Sequence, residues 1–174
     1  MRLGMGPRVA LVALALCAGG RVASAQVKVA VVNLQKAVLG SAEIQKASSD
    51  METKYKPRTQ QIEQLQKDLA NISQQLQVNA GKFTQQAEAD LQAQGQRKQR
   101  ELQRLQDDLQ SDVDRERNDI LAKASQKMGA VVKKIAEEKG FDLVVDVSTT
   151  VYFKPAMEIT ADVQAAYDKE NPAK

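Results

Sequence analysis

The chain has 174 residues, with 25 basic and 22 acidic side chains, no histidine, no tryptophan and a single cysteine. It therefore lacks the usual ligands of a zinc centre and the commonest general base, and with only 3% aromatic residues it has little with which to stack nucleobases. Neither an enzyme nor a nucleic-acid binder is expected, and what remains is the chemistry of surfaces.

At the start of the chain Arg2 and Arg8 stand without acidic neighbours, Val9 to Ala18 is an apolar run, and Ala23-Ser24-Ala25 supplies the small residues of a cleavage site. This order predicts a cleaved secretory signal peptide over residues 1–25, because the run is well short of the ~20 apolar residues that span a bilayer. The bulky Leu16 before Cys17 does not suit lipoprotein processing. Cleavage would remove Cys17, Arg2, Arg8 and Arg21, leaving 22 basic against 22 acidic residues and no thiol for a disulfide. Stability must then come from packing.

Val27 to Asn33 (VKVAVVN) predicts a strand with Val27, Val29 and Val31 on one face. From Ser41 onward the apolar spacing becomes helical. Ile44, Met51, Tyr55, Ile62, Leu65, Leu69, Ile72 and Leu76 follow a 4-3 repeat, with Ser48 and Arg58 as its polar members. Pro57 predicts a kink or a fresh helix start within that series. Asn79-Ala80-Gly81-Lys82 reads as a turn, in which Gly81 supplies a left-handed residue and Thr84 caps the returning helix. That helix carries Leu91, Leu102, Leu105, Leu109, Val113, Ile120, Ala124, Met128, Val131 and Ile135 as far as Lys139. The expected result is an antiparallel helical hairpin arm over residues 41–139, with its turn near 79–83. Its seam is thin at Gln92–Glu101 and Gln110–Asp119, where bending and splaying are expected.

Beyond Gly140, Phe141, Leu143, Val145 and Val147 alternate with other residues as a strand does, and Val151–Phe153 predicts a further strand after a polar connection. Ala161 to Lys169 predicts a short terminal helix. The fold class is therefore α+β, mostly α, with residues 26–40 and 140–174 forming a small β base. Three short strands and one helix make a meagre core, so the base is expected to self-associate. Val29, Val31, Phe141, Leu143, Val145, Val151 and Phe153 are the candidate interface residues.

The arm carries two further sets of candidates. Met51, Tyr55, Phe83, Leu91 and Met128 are apolar residues that weak, multivalent contacts to an unfolded chain would use, with hairpin packing as the competing role. Arg97, Lys98, Arg100 and Arg104 form a basic cluster suited to acidic lipid or lipopolysaccharide headgroups, or simply to water. Asp107, Asp108, Asp112 and Asp114 lie among Arg104, Arg115 and Arg117 at helical spacing and read as ion pairs rather than a cation site. Neither a Gly-rich phosphate loop nor a metal-ligand spacing is present in the sequence, so no cofactor is expected.

Val29 with Ala30-Val31-Val32-Asn33, FDLVVD at Phe141 to Asp146, VYF at Val151 to Phe153 and EITADV at Glu158 to Val163 together resemble the Skp/OmpH family of periplasmic chaperones. The likeness runs through the chain from the first strand to the last helix. It implies a periplasmic homotrimer whose strands form a small central barrel and whose arms enclose unfolded outer-membrane proteins. Members of that family are typically basic, whereas this chain would be formally neutral after cleavage and holds 16 glutamines between Gln60 and Gln110. The alternative role is a non-catalytic coiled-coil scaffold or adaptor of the envelope, with the arm as a rigid spacer. A broken seam and an undistinguished tip, VNAGKFT, favour the chaperone.

Overall fold

The computed structural model describes residues 27–173; the expected signal peptide lies outside the described residues. Strand β1 is Val29–Val32, followed by helices α1 (Leu34–Gly40), α2 (Ala42–Val78) and α3 (Gln85–Lys139), strand β2 (Leu143–Asp146) and helix α4 (Thr160–Glu170). At about 1.5 Å per residue, α2 and α3 extend for roughly 55 and 80 Å. They pack as an antiparallel pair, and the longer α3 continues past the start of α2 to contact α1 and α4.

The turns follow from local chemistry. Gly81 (φ 76°) and Gly140 (φ 66°) both adopt the left-handed conformation that other residues resist, the first in the turn between the long helices and the second at the end of α3. Thr84 caps α3 by accepting a hydrogen bond from the Ala87 amide at 3.2 Å. Pro57 lies inside α2, which runs on from Ala42 to Val78, so the fresh helix start that the sequence allowed does not occur. The side chain is exposed, and at an exposed site water can satisfy the carbonyl that proline leaves unpaired.

Helix α1 has no counterpart in the periodicity analysis. It is a seven-residue helix capped by Asn33, whose Oδ1 accepts from the Lys36 amide at 2.8 Å, and it buries Ala37 and Val38. Ser41 then connects α1 to α2. Its hydroxyl is buried, donates to the Val38 carbonyl at 2.7 Å and accepts from the Ile44 amide.

The sheet has two strands rather than three. β1 and β2 pair in parallel, with Val29 opposite Leu143 and Val32 opposite Asp146. The expected strand Val151–Phe153 does not form. Asp146 diverts the chain, because its carboxylate accepts from the Ser148 amide at 2.8 Å while the hydroxyls of Thr149 and Thr150 donate to its carbonyl. A 3-10 turn at Val147–Thr149 results, and Pro155 opens a second one at Pro155–Met157. Between these turns Thr150 and Lys154 are extended, Val151 bends, and the segment has no ladder partner. A contact absent from the sequence reading occupies the other edge of β1, where the Ile159 amide donates to the Val31 carbonyl at 2.8 Å.

One core holds this base together. Ala30, Val32 and Val144 from the sheet meet Ala37 and Val38 of α1, Ala124, Met128, Val131 and Ile135 of α3, and Val163 and Tyr167 of α4. Tyr167 is fully buried, and its hydroxyl donates to Glu43, which also accepts from Lys127 Nζ at 2.6 Å. Three helices thus share one polar knot. Burial, reinforced by Glu43, pushes the Tyr167 hydroxyl up, while Lys127 and then Tyr167 hold the Glu43 carboxyl below its ordinary range.

Tyr167→Phe removes only the hydroxyl and is expected to cost about 1–3 kcal/mol, whereas Tyr167→Ala is expected to cost about 3–5 kcal/mol. Urea denaturation followed by circular dichroism measures both. A loss below about 1 kcal/mol for Tyr167→Ala would mean that α4 is not part of the cooperative core.

Candidate functional site

Two surfaces of the described residues are only partly covered by the rest of the chain, and the first is on the base. Ala30, Val32 and Val144 turn one face of the sheet inward, which leaves Val29, Val31, Leu143 and Val145 on the opposite face. Val31 is buried and Val29 and Val145 are half-buried, but Leu143 is 51% exposed. Phe141 departs from the expected parity and packs against the core from its position just after Gly140. Val151 is fully exposed, Tyr152 is 81% exposed and Phe153 is half-buried. Tyr152 was missed by the sequence reading, because strand parity assigned outward roles to Val151 and Phe153, whereas the unpaired segment exposes adjacent residues.

The second surface is on the arm. Near the base, α2 and α3 separate around an apolar groove of about 730 Å³, lined chiefly by Ile44, Met51 and Tyr55 from α2 and Val113, Ile120 and Leu121 from α3, with Leu39, Glu52 and Arg117 also at its walls. The cause is legible in the residues. Ala47 and Ser48 are too short to fill the space between two helices. Met51 and Tyr55 are both half-buried there.

The other candidates are dispersed or occupied. Phe83 and Leu91, both half-buried, belong to the turn and the outer part of α3. Met128 is 0% exposed in the base core, which removes it from any contact with another chain. Of the basic cluster, Arg97, Arg100 and Arg104 are exposed, but Lys98 points into the hairpin and pairs with Asp68 at 2.7 Å. Asp107 and Asp114 accept from the side-chain amides of Gln103 and Gln110 four residues before them, and Asp112 pairs with Arg58 and Arg115.

These pairs add polar contacts to a seam that is thin in apolar ones. Where α3 lacks large apolar residues, polar side chains bridge the helices: Lys98 to Asp68, Arg58 to Asp112 at 2.7 Å, and Lys54 and Tyr55 to Glu116 at 2.7 and 2.5 Å. Gly95 contributes by its size, since a Cβ there would come within 3.4 Å of Ile72. The hydrogen bonds hold Asp68, Asp112 and Glu116 below the ordinary carboxylate range, with Lys98, Arg58 and Lys54 respectively as the largest influences. A depressed carboxylate supports the fold above its unfolded-state value and loses that contribution as pH falls through the folded one.

The family model described as Outer membrane protein (OmpH-like) matches residues 28–167. The chain belongs to the OmpH-like family. The fold agrees with that assignment: a crystal structure of an OmpH-like protein from Caulobacter crescentus CB15, assigned as an outer membrane chaperone, superposes with a TM-score of 0.71 at 20% identity, covering 86% of this chain and 89% of that one. No curated protein matches the sequence. This OmpH-like chain has, among its described residues, no helix long and apolar enough to cross a membrane.

The two methionines separate core from groove. Met128→Ala is expected to cost about 2–5 kcal/mol by leaving a cavity in the base, while Met51→Ala on the open groove is expected to stay within about 1 kcal/mol. Thermal and urea unfolding of the two variants would show the difference, and equal losses would mean that the groove is packed shut in solution.

Proposed function

We propose that this protein is an ATP-independent periplasmic holdase, which binds unfolded outer-membrane β-barrel chains between the helical arms of a homotrimer and prevents their aggregation. The observation that carries this reading is the half-open apolar groove at the root of the arm, where Met51, Tyr55, Val113 and Ile120 remain accessible although each has the spacing of a packed seam residue. Apolar side chains left partly in water give individually weak contacts, and several arms closing on one client add them together. Family membership and the likeness to the Caulobacter protein support the same conclusion.

Assembly follows from the base. Leu143 on the partly open sheet face and the unpaired Val151–Phe153 segment are the surfaces that further copies would cover, giving that segment the ladder partner it lacks. Arg97, Arg100 and Arg104, exposed along the arm, are positioned to meet acidic headgroups at the membrane surface. One observation favours a rigid envelope spacer instead: α2 passes through Pro57 without a break.

Leu143→Asp and Tyr152→Asp would bury a charge in the assembly and are expected to lower the mass measured by light scattering from oligomer to monomer. In parallel, the unaltered protein is expected to keep several unrelated denatured barrel proteins in solution without ATP, and the monomeric variants to do so poorly. Unchanged mass would remove this surface from the interface. No suppression of aggregation would favour the spacer.

A further inference from the structure

The groove on the arm ends at a polar layer. Tyr55 belongs to both: its ring lines the groove while its hydroxyl donates to Glu116 Oε2 at 2.5 Å. Lys54 Nζ reaches both oxygens of the same carboxylate at 2.9 and 2.7 Å and lies 5.2 Å from the Tyr55 ring centroid. Nearby, Arg58 donates to Asp112 at 2.7 Å, and Arg115 donates to the other oxygen of that carboxylate at 2.5 Å. Three cations and a phenol from both helices therefore converge on two carboxylates, with Asp108 adding its charge near Arg58.

Position distinguishes this layer from the other surface ion pairs. Farther out, Ile62, Leu65 and Leu102 form a small apolar cluster joined by Leu69, Leu105 and Leu109, and toward the base lies the main core. Between these two apolar sections the helices are held across the groove mainly by polar side chains. Exposed ion pairs are weak and screened by salt, so closure of this part of the arm costs little to undo.

We propose that Tyr55, Lys54, Arg58, Asp112 and Glu116 form a releasable clasp that sets the spacing of α2 and α3 and thereby the width of the apolar groove beneath it. A charged segment of a bound chain can compete for either the carboxylates or the cations, and loosening the clasp exposes more of Met51, Val113 and Ile120 to that chain. What the groove holds rests on the chaperone reading; the clasp itself does not.

The test is a distance measurement. Spin labels on Ser49→Cys and Ala122→Cys, both exposed and on opposite helices beside the groove, are compared with a control pair at Ser73→Cys and Gln94→Cys on the outer arm, all in full-length Cys17→Ser protein diluted with unlabelled chains. Raising NaCl from about 0.1 to 1 M shortens the screening length from about 10 to 3 Å. It should shift the groove pair to longer separations and leave the outer pair unchanged. The Asp112→Asn, Glu116→Gln double variant should already show the longer separation at low salt, and Tyr55→Phe, which keeps the ring, should fall between. The double variant should also hold a denatured barrel severalfold more tightly. A groove-pair distance indifferent to salt and to the double substitution, or equal widening of both pairs, would overturn the clasp. A widened groove with unchanged client affinity would overturn its coupling to binding. If the unaltered protein holds no barrel at all, the chaperone reading fails, while the distances, recorded without client, still decide the clasp.

Discussion

The parallel pairing of β1 with β2 is the constraint on which the rest of the molecule depends. It joins segments 114 residues apart, as the bond from the Lys28 amide to the Asp142 carboxylate at 2.7 Å illustrates. Parallel strands need a long crossover, and here that crossover is α1 and the whole helical arm. Closing so large a loop costs conformational entropy, which the base core offsets by bringing together residues from both ends of the chain. Asp146 connects the same two ends again, accepting from the Leu34 amide at 3.1 Å where α1 begins.

The arm is built on a different principle. Its helices are supported locally by caps and by glutamine-to-carboxylate bonds four residues apart, such as Gln64 to Asp68 and Gln86 to Asp90. Between helices the contacts alternate from apolar core to open groove, polar clasp and a second apolar cluster. A pair of helices that keep their own structure without continuous mutual packing can separate without unfolding. That property explains how a thin seam coexists with long, unbroken helices.

Most of this architecture was legible in the residues. The 4-3 apolar repeat located the hairpin, Gly81 and Gly140 marked its turn and its end, and alternation located β1 and β2. Three features were hidden for physical reasons. Helix α1 is too short to show a period. The Val151–Phe153 segment has strand composition, but Asp146 and the threonines after it redirect the chain before it can pair. The contact between Ile159 and Val31 is a backbone bond that no side-chain pattern encodes. Within the candidate site, Met51 and Tyr55 met in one groove while Met128 went to the core, because an apolar residue at seam spacing has the same sequence signature whether the partner helix fills the space beside it or leaves it open.

Amide hydrogen exchange on the full-length protein tests most directly the claim that a tightly joined base carries a loosely joined arm. Burial predicts the slowest exchange in β1, β2 and the Ala124–Ile135 stretch of α3, with measurably faster exchange at Ala47–Tyr55 and Val113–Leu121 beside the groove. Exchange beside the groove as slow as in the base, or early exchange of β1, would contradict it.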